Sequence, residues 1–260
     1  MTPKQLKTTG ARKAGPVTTK PTRTDEVSLA ALRAELHALG SPERAMSSMR
    51  FFKTGPGQYG EGDKFLGLTV PEMRSLARKY RDLPDDDALS LLSSPWHEDR
   101  LVALLLLVQS YQRGDQKGRE RIHRAYLANA RHINNWDLVD SSANYIVGKH
   151  LQPDDISLLE RLARSKDIWE RRIAIIATLD FIRRGELRPT LQIADILLED
   201  SHDLIHKAVG WMLREVGKRD RKALDEFLRR HYRKMPRTML RYAIERHPEQ
   251  LRKKYLAGTI

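Results

Sequence analysis

From Ser28 onward, apolar residues recur at intervals of three and four, and no run alternates apolar with polar as a half-buried strand does. The pattern predicts an all-α chain of about a dozen short helices, with one long interruption in the Gly- and Pro-bearing stretch 55–67. Thr69 followed by Pro71 and Glu72 predicts a helix start, since it combines a capping oxygen, an early proline and an acid at the positive helix end. Ser94 with Pro95, and Asp167 with Glu170 three residues later, predict two more.

The later segments are related to one another. The windows beginning at Trp96, Trp169 and Leu204 each run from a polar start through an apolar helix to a basic or glycine-containing end, and the stretch from Ile133 to His150 fills the gap between the first two. Superposing them makes Arg100, Trp136, Arg172 and Lys207 equivalent, at separations of 36, 36 and 35 residues. Periods near this length mark helical-hairpin repeats of about 34 to 47 residues. Irregular repeat sequence favours the HEAT-like version, in which hairpins stack into a curved α-solenoid with one concave and one convex row of helices.

Residues 1–26 break the pattern. They hold Lys4, Lys7, Arg12, Lys13, Lys20 and Arg23, many threonines and no acid before Asp25, and so are expected to form a basic, disordered tail ahead of one repeat domain spanning 27–260.

Across 260 residues the net charge is +13, a balance shared by nucleic-acid binders, membrane-surface proteins and merely solubilised chains. The apolar run from Leu101 to Val108 is far shorter than the roughly 20 residues a transmembrane helix needs, so a cytoplasmic, nucleoid-associated protein without membrane contact is expected. With no cysteine, disulfides, thiolate nucleophiles and Cys-ligated metals are excluded. The nine histidines lack metal-site spacing and the glycine loop lacks a P-loop Gly-Lys-Ser/Thr, so neither metal nor nucleotide cofactor is expected. Ser141 and Ser142 have no nucleophile elbow around them.

Candidate chemistry comes from the repeat register. Asp140 follows Trp136 by four residues and Trp211 follows Lys207 by four, each step close to one helical turn. With Arg172 between them, these five residues are expected to converge on the concave face, where two indoles, two cations and a carboxylate suit a nucleic-acid site. Taken singly, each has a structural explanation: tryptophans at helical spacing are commonly core, and the Glu170-Arg171-Arg172 cluster could be a solvated face.

At these residues the chain resembles the HEAT-like-repeat alkylpurine DNA glycosylases of the AlkD-type DNA alkylation-repair family. The likeness runs from about Met46 to Lys218 through the stretches 65–78, 134–142, 168–179 and 205–218. The family's W-D-x-V-D pattern falls on Trp136 and Asp140, its W-x-x-R on Arg172 and its K-A-x-G-W on Trp211. The long basic tail and the loop before Phe65 depart from it. The resemblance implies excision of N3- or N7-alkylated purines, such as 3-methyladenine and 7-methylguanine, from duplex DNA in base excision repair, by a monomer that needs no cofactor or obligate protein partner. It implies a catalytic set of Asp140, Trp136, Trp211 and Arg172, with Arg172 on a flanking phosphate. Phosphate contacts are expected from Arg172, Lys207, Arg171, Arg100, Arg74 and Arg214. A noncatalytic HEAT-like module for damaged or branched DNA, a protein scaffold and an RNA binder remain open alternatives.

Overall fold

The computed structural model describes residues 27–260, so the basic segment 1–26 lies outside the described residues. Two helices open it, α1 (Leu29–Ala38) and α2 (Pro42–Phe51), and the irregular stretch to Thr69 leads into α3 (Val70–Lys79), α4 (Asp85–Leu91), α5 (His97–Arg113) and α6 (Gln116–Ala128). After a 3₁₀ turn at Ala130–His132 come α7 (Trp136–Asp140), a π-helical turn at Asn144–Gly148, α8 (Ser157–Ala163), α9 (Ile168–Ala177) and α10 (Leu179–Arg184). The chain ends in α11 (Arg188–Ile196), α12 (Asp203–Arg219), α13 (Arg221–His231), α14 (Arg237–Ala243) and α15 (Glu249–Ala257). Among the described residues there is no β-strand beyond a single bridge between Lys64 and Trp96.

The helix starts follow local chemistry. Thr69 and Glu72 close both halves of a capping box at α3, and Asp167 caps α9 by accepting from the Trp169 N–H at 2.8 Å. At α5 the helix begins two residues later than the sequence suggests. Ser94 Oγ accepts from the Trp96 N–H at 3.2 Å and donates to Asp99 at 2.6 Å, shaping the turn before the helix, which starts at His97.

Most of these helices are too short to persist alone, and packing holds them. Helices α5, α7, α9, α12 and α14 stack side by side in one row, while α6, α8, α11 and α13 each pack on it from the other side. This is a helical-repeat solenoid. Its core runs without a break from Leu32 to Tyr255, and side chains such as Leu104, Leu107, Ile173 and Met212 are wholly buried. Each contributes about 1.5–3 kcal/mol of hydrophobic stabilisation. Helices α12 and α14 approach closely at Gly210, where a Cβ would stand 2.5 Å from the Met239 carbonyl oxygen. Glycine there lets the two helices bring Trp211 and Tyr242 to one cleft.

Among the described residues no helix is long and apolar enough to cross a membrane, and no group of three or more His, Asp or Glu is disposed to hold a metal ion.

Candidate functional site

Asp140 is the last residue of α7 and Arg172 the fifth of α9. The Arg172 guanidinium donates to both carboxylate oxygens, Nε to Oδ1 at 2.9 Å and Nη2 to Oδ2 at 2.8 Å, while Nη1 donates to the Leu204 carbonyl at 2.6 Å. The two side chains are only 17% and 5% exposed, so this is a bidentate pair largely out of water. Burial pushes the Asp140 carboxyl above its ordinary range, Arg172 pulls it back, and the charge of Asp137 adds to the rise.

Asp140, Arg172 and Lys207 are each the fifth residue of their helices, whereas Trp136 is the first of α7. Helix α7 is short: Ser142 donates to the Leu138 carbonyl at 2.6 Å and meets the Tyr126 hydroxyl at 3.0 Å, and the chain passes into the π-helical turn.

Above the pair opens a cleft of about 540 Å³ lined by Phe51, Lys53, Tyr59, Trp136, Asp140, Arg172, Asp203, Lys207, Trp211, Arg214 and Tyr242, among others. Both tryptophans are half-buried, with part of each ring open to the cleft. Trp136 stacks on Phe52 at a centroid distance of 5.4 Å and meets Phe51 edge-on at 5.8 Å. Trp211 is fixed by its Nε1–H, which donates to Glu215 at 3.1 Å. Trp136, Asp140, Arg172, Lys207 and Trp211 thus reach one cleft, as their spacing suggested.

The expected phosphate-binding cations divide. Arg100 is buried at 5% exposure and donates to Asp63 at 2.7 Å and to the Ser94 carbonyl at 3.0 Å, so it is a structural cation and not a surface contact. Arg171 donates to Asp200 at 2.6 Å and to the carbonyls of Ser165 and Lys166, bracing the turn ahead of α9 away from the cleft. Arg172, expected on a flanking phosphate, is engaged in this structure by Asp140 and the Leu204 carbonyl. Arg74 is exposed on α3 but does not line the cleft. Lys207 and Arg214 do line it, Lys207 paired with Asp203 at 2.7 Å and Arg214 with Glu245. The Asp203 bond raises the Lys207 ammonium pKa and keeps it charged.

Beneath the first turn of α7 lies a charged cluster that sequence spacing did not reveal. His97, the first residue of α5, contacts Asp137 at 2.7 Å through Nε2 and Asp63 at 3.3 Å through Nδ1. Its ring lies against Phe65 at 4.7 Å and Phe52 at 4.9 Å. Burial opposes the charged imidazolium, but Asp137 and Asp63 outweigh it and raise the pKa to about 9. Because Phe52 also carries Trp136, the cluster fixes the indole through a ring-on-ring contact. Tyr59, Lys53, Asp203 and Tyr242 are further cleft residues missed in the sequence; they come from a loop and from helix positions without a motif around them.

A helical-repeat protein with an aromatic cleft over a clamped carboxylate is the class that this fold and site define. The family model for DNA alkylation repair enzymes matches residues 32–247, and the chain belongs to that family. Among solved structures, that of a predicted DNA alkylation repair enzyme from Enterococcus faecalis is similar, with a TM-score of 0.62 and 17% identity over 81% of this chain and 97% of that one. Comparison with curated proteins found no match.

Proposed function

We propose that the protein is a monofunctional DNA glycosylase that hydrolyses the N-glycosidic bond of cationic N3- or N7-alkylated purines in duplex DNA. The observation that carries this reading is the Asp140 carboxylate, held by two hydrogen bonds from Arg172 at the floor of a cleft walled by Trp136 and Trp211. An alkylated purine already bears positive charge and leaves as a neutral base, so no general acid has to protonate it. One carboxylate is then sufficient. Asp140 stabilises the oxocarbenium-like sugar and orients the water that adds to C1′, whose proton passes to the carboxylate or to solvent. Arg172 serves by aiming the carboxylate and by opposing the neutralisation that burial favours. The two indole faces suit a cationic sugar and its backbone.

Lys207 supports hydrolysis over strand-cleaving chemistry. Its ammonium is held charged by Asp203, whereas attack on the sugar carbon by an amine needs the neutral form. Incubation with duplex DNA containing 7-methylguanine should release the free base and leave an intact abasic strand. Retention of the base at high enzyme excess would refute the reading, and a β-eliminated strand would refute its monofunctional part.

A further inference from the structure

We propose, building on the glycosylase reading, that Glu215 is a positioning residue for base excision: it tethers the Trp211 indole so that the ring walls the cleft instead of turning into the groove beside it. Trp211 and Glu215 stand one turn apart on α12, a spacing that puts both side chains on one face of the helix. The indole Nε1–H donates to Glu215 Oε1 at 3.1 Å. The carboxylate is itself held, by Lys218 Nζ at 2.7 Å from Oε1 and 2.9 Å from Oε2. Arg214 lies alongside, its Nε 3.7 Å from Oε1, and pairs through Nη1 with Glu245. With its side chain only 18% exposed and cations on two sides, the acceptor has a fixed place.

The need for a tether follows from what surrounds the ring. Trp211 lines both the cleft of about 540 Å³ and an adjoining groove of about 410 Å³, into which Arg183 and Arg219 also face. A half-buried indole with space on two sides has staggered rotamers toward either. Trp136 lacks that freedom, because Phe52 stacks on it and Phe51 meets its edge; among the described residues no aromatic ring stacks on Trp211. The Nε1–H is the one polar handle an indole has, so the bond to Glu215 is what gives this ring a direction. Glu215 lines the groove and not the cleft. The bond therefore pins the N–H edge on the groove side and leaves the rest of the ring as cleft wall. Without it the ring divides its time between the two spaces, and the wall is present for only part of it.

The test reads the indole and the chemistry separately. In a nitrogen–proton correlation spectrum of the full chain, the Trp211 indole N–H is identified by its absence in Trp211→Phe. Its resonance should move and lose protection from solvent exchange in Glu215→Ala, whereas Glu215→Gln, which keeps an acceptor oxygen at the same reach, should hold it near the wild-type position. Single-turnover release of 7-methylguanine from a duplex should slow about tenfold or more in Glu215→Ala and stay within about threefold of wild type in Glu215→Gln, since a displacement of about 1 Å at a reacting site costs up to roughly 100-fold. Affinity for the same duplex without the lesion should not fall in either variant, because each removes a negative charge beside the positively charged groove. A folded Glu215→Ala that releases the base at the wild-type rate, an indole resonance unmoved by that change, or a Glu215→Gln as slow as Glu215→Ala would overturn the assignment. If Glu215→Ala loses its cooperative melting transition, Glu215→Leu carries the same test. If the wild type releases no base, the glycosylase reading fails separately and the resonance decides: moved in Glu215→Ala, it sustains the tether, and unmoved, it overturns it.

Discussion

Arg172 and Asp140 each supply most of what makes the other tolerable in a nearly dry site. Removing one partner of such a buried pair costs about 3–5 kcal/mol, because a lone charge stays behind without water. Asp140→Asn should therefore lower the melting temperature, and in the folded fraction should reduce single-turnover excision by roughly 100-fold or more. The double variant Asp140→Asn/Arg172→Gln separates the two effects. Its loss of stability should be smaller than the sum of the two single losses, since no uncompensated charge remains, but excision should stay lost. Recovery of excision in the double variant would show the carboxylate to be structural only. The raised pKa of Asp140 adds a pH signature: excision should fall with acidity along a limb lying above the ordinary carboxylate range of about 3.9, and Arg172→Gln should move that limb further up. The motif around Trp136 and Asp140 was legible in the sequence. The bidentate lock was not, because Arg172 lies 32 residues from its acceptor and no local pattern marks the partner.

Among the elements, α7 depends most on its surroundings, with five residues and little intrinsic helix stability. The buried Asn135 ahead of it accepts from the Trp136 N–H at 2.8 Å and donates to Asp63 at 3.3 Å, and the His97 cluster holds Asp137 one residue on. The groups facing His97 are Asp137 from α7, Asp63 from the preceding loop and Arg100 from its own helix, the last opposing its charge. Since the pKa is raised from about 6.5 to about 9, the stabilisation is complete below pH 6.5 and vanishes as pH climbs through 9. Denaturant titrations at pH 6 and pH 9.5 should show the wild type losing on the order of 3 kcal/mol more than His97→Gln between those values. Parallel pH profiles for the two proteins would mean that the imidazole is neutral in the folded state. Caps such as Thr69 and Asp167 were readable because their partners lie within one turn. The His97 cluster joins residues 34 and 40 positions apart, which periodicity cannot report.

At the scale of the whole molecule, the repeat spacing near 36 residues foretold a row of helices and the convergence of the five site residues on one cleft. It could not foretell which cations remain for DNA. Arg100 and Arg171 are spoken for by Asp63 and Asp200, acids 37 and 29 residues away. Open charge lies instead beside Trp211, where Arg183 of α10 and Arg219 of α12 line an adjoining groove of about 410 Å³, with Lys218 beside them paired to Glu215 at 2.7 Å. Arg183 and Arg219 are exposed, and Trp211 belongs to both this groove and the cleft, so a DNA backbone leaving the cleft past the indole meets them next. Each phosphate contact releases about one counterion and adds about one to the slope of log affinity against log salt. Arg183→Gln/Arg219→Gln should thus weaken duplex binding alike for all sequences and flatten that slope by about two. Arg100→Gln should lower the melting temperature and leave the slope of the folded protein unchanged, since its guanidinium is buried against Asp63. If the slope instead responds to Arg100 and ignores Arg183 and Arg219, the DNA runs along the α5 side of the row and the path drawn here is wrong.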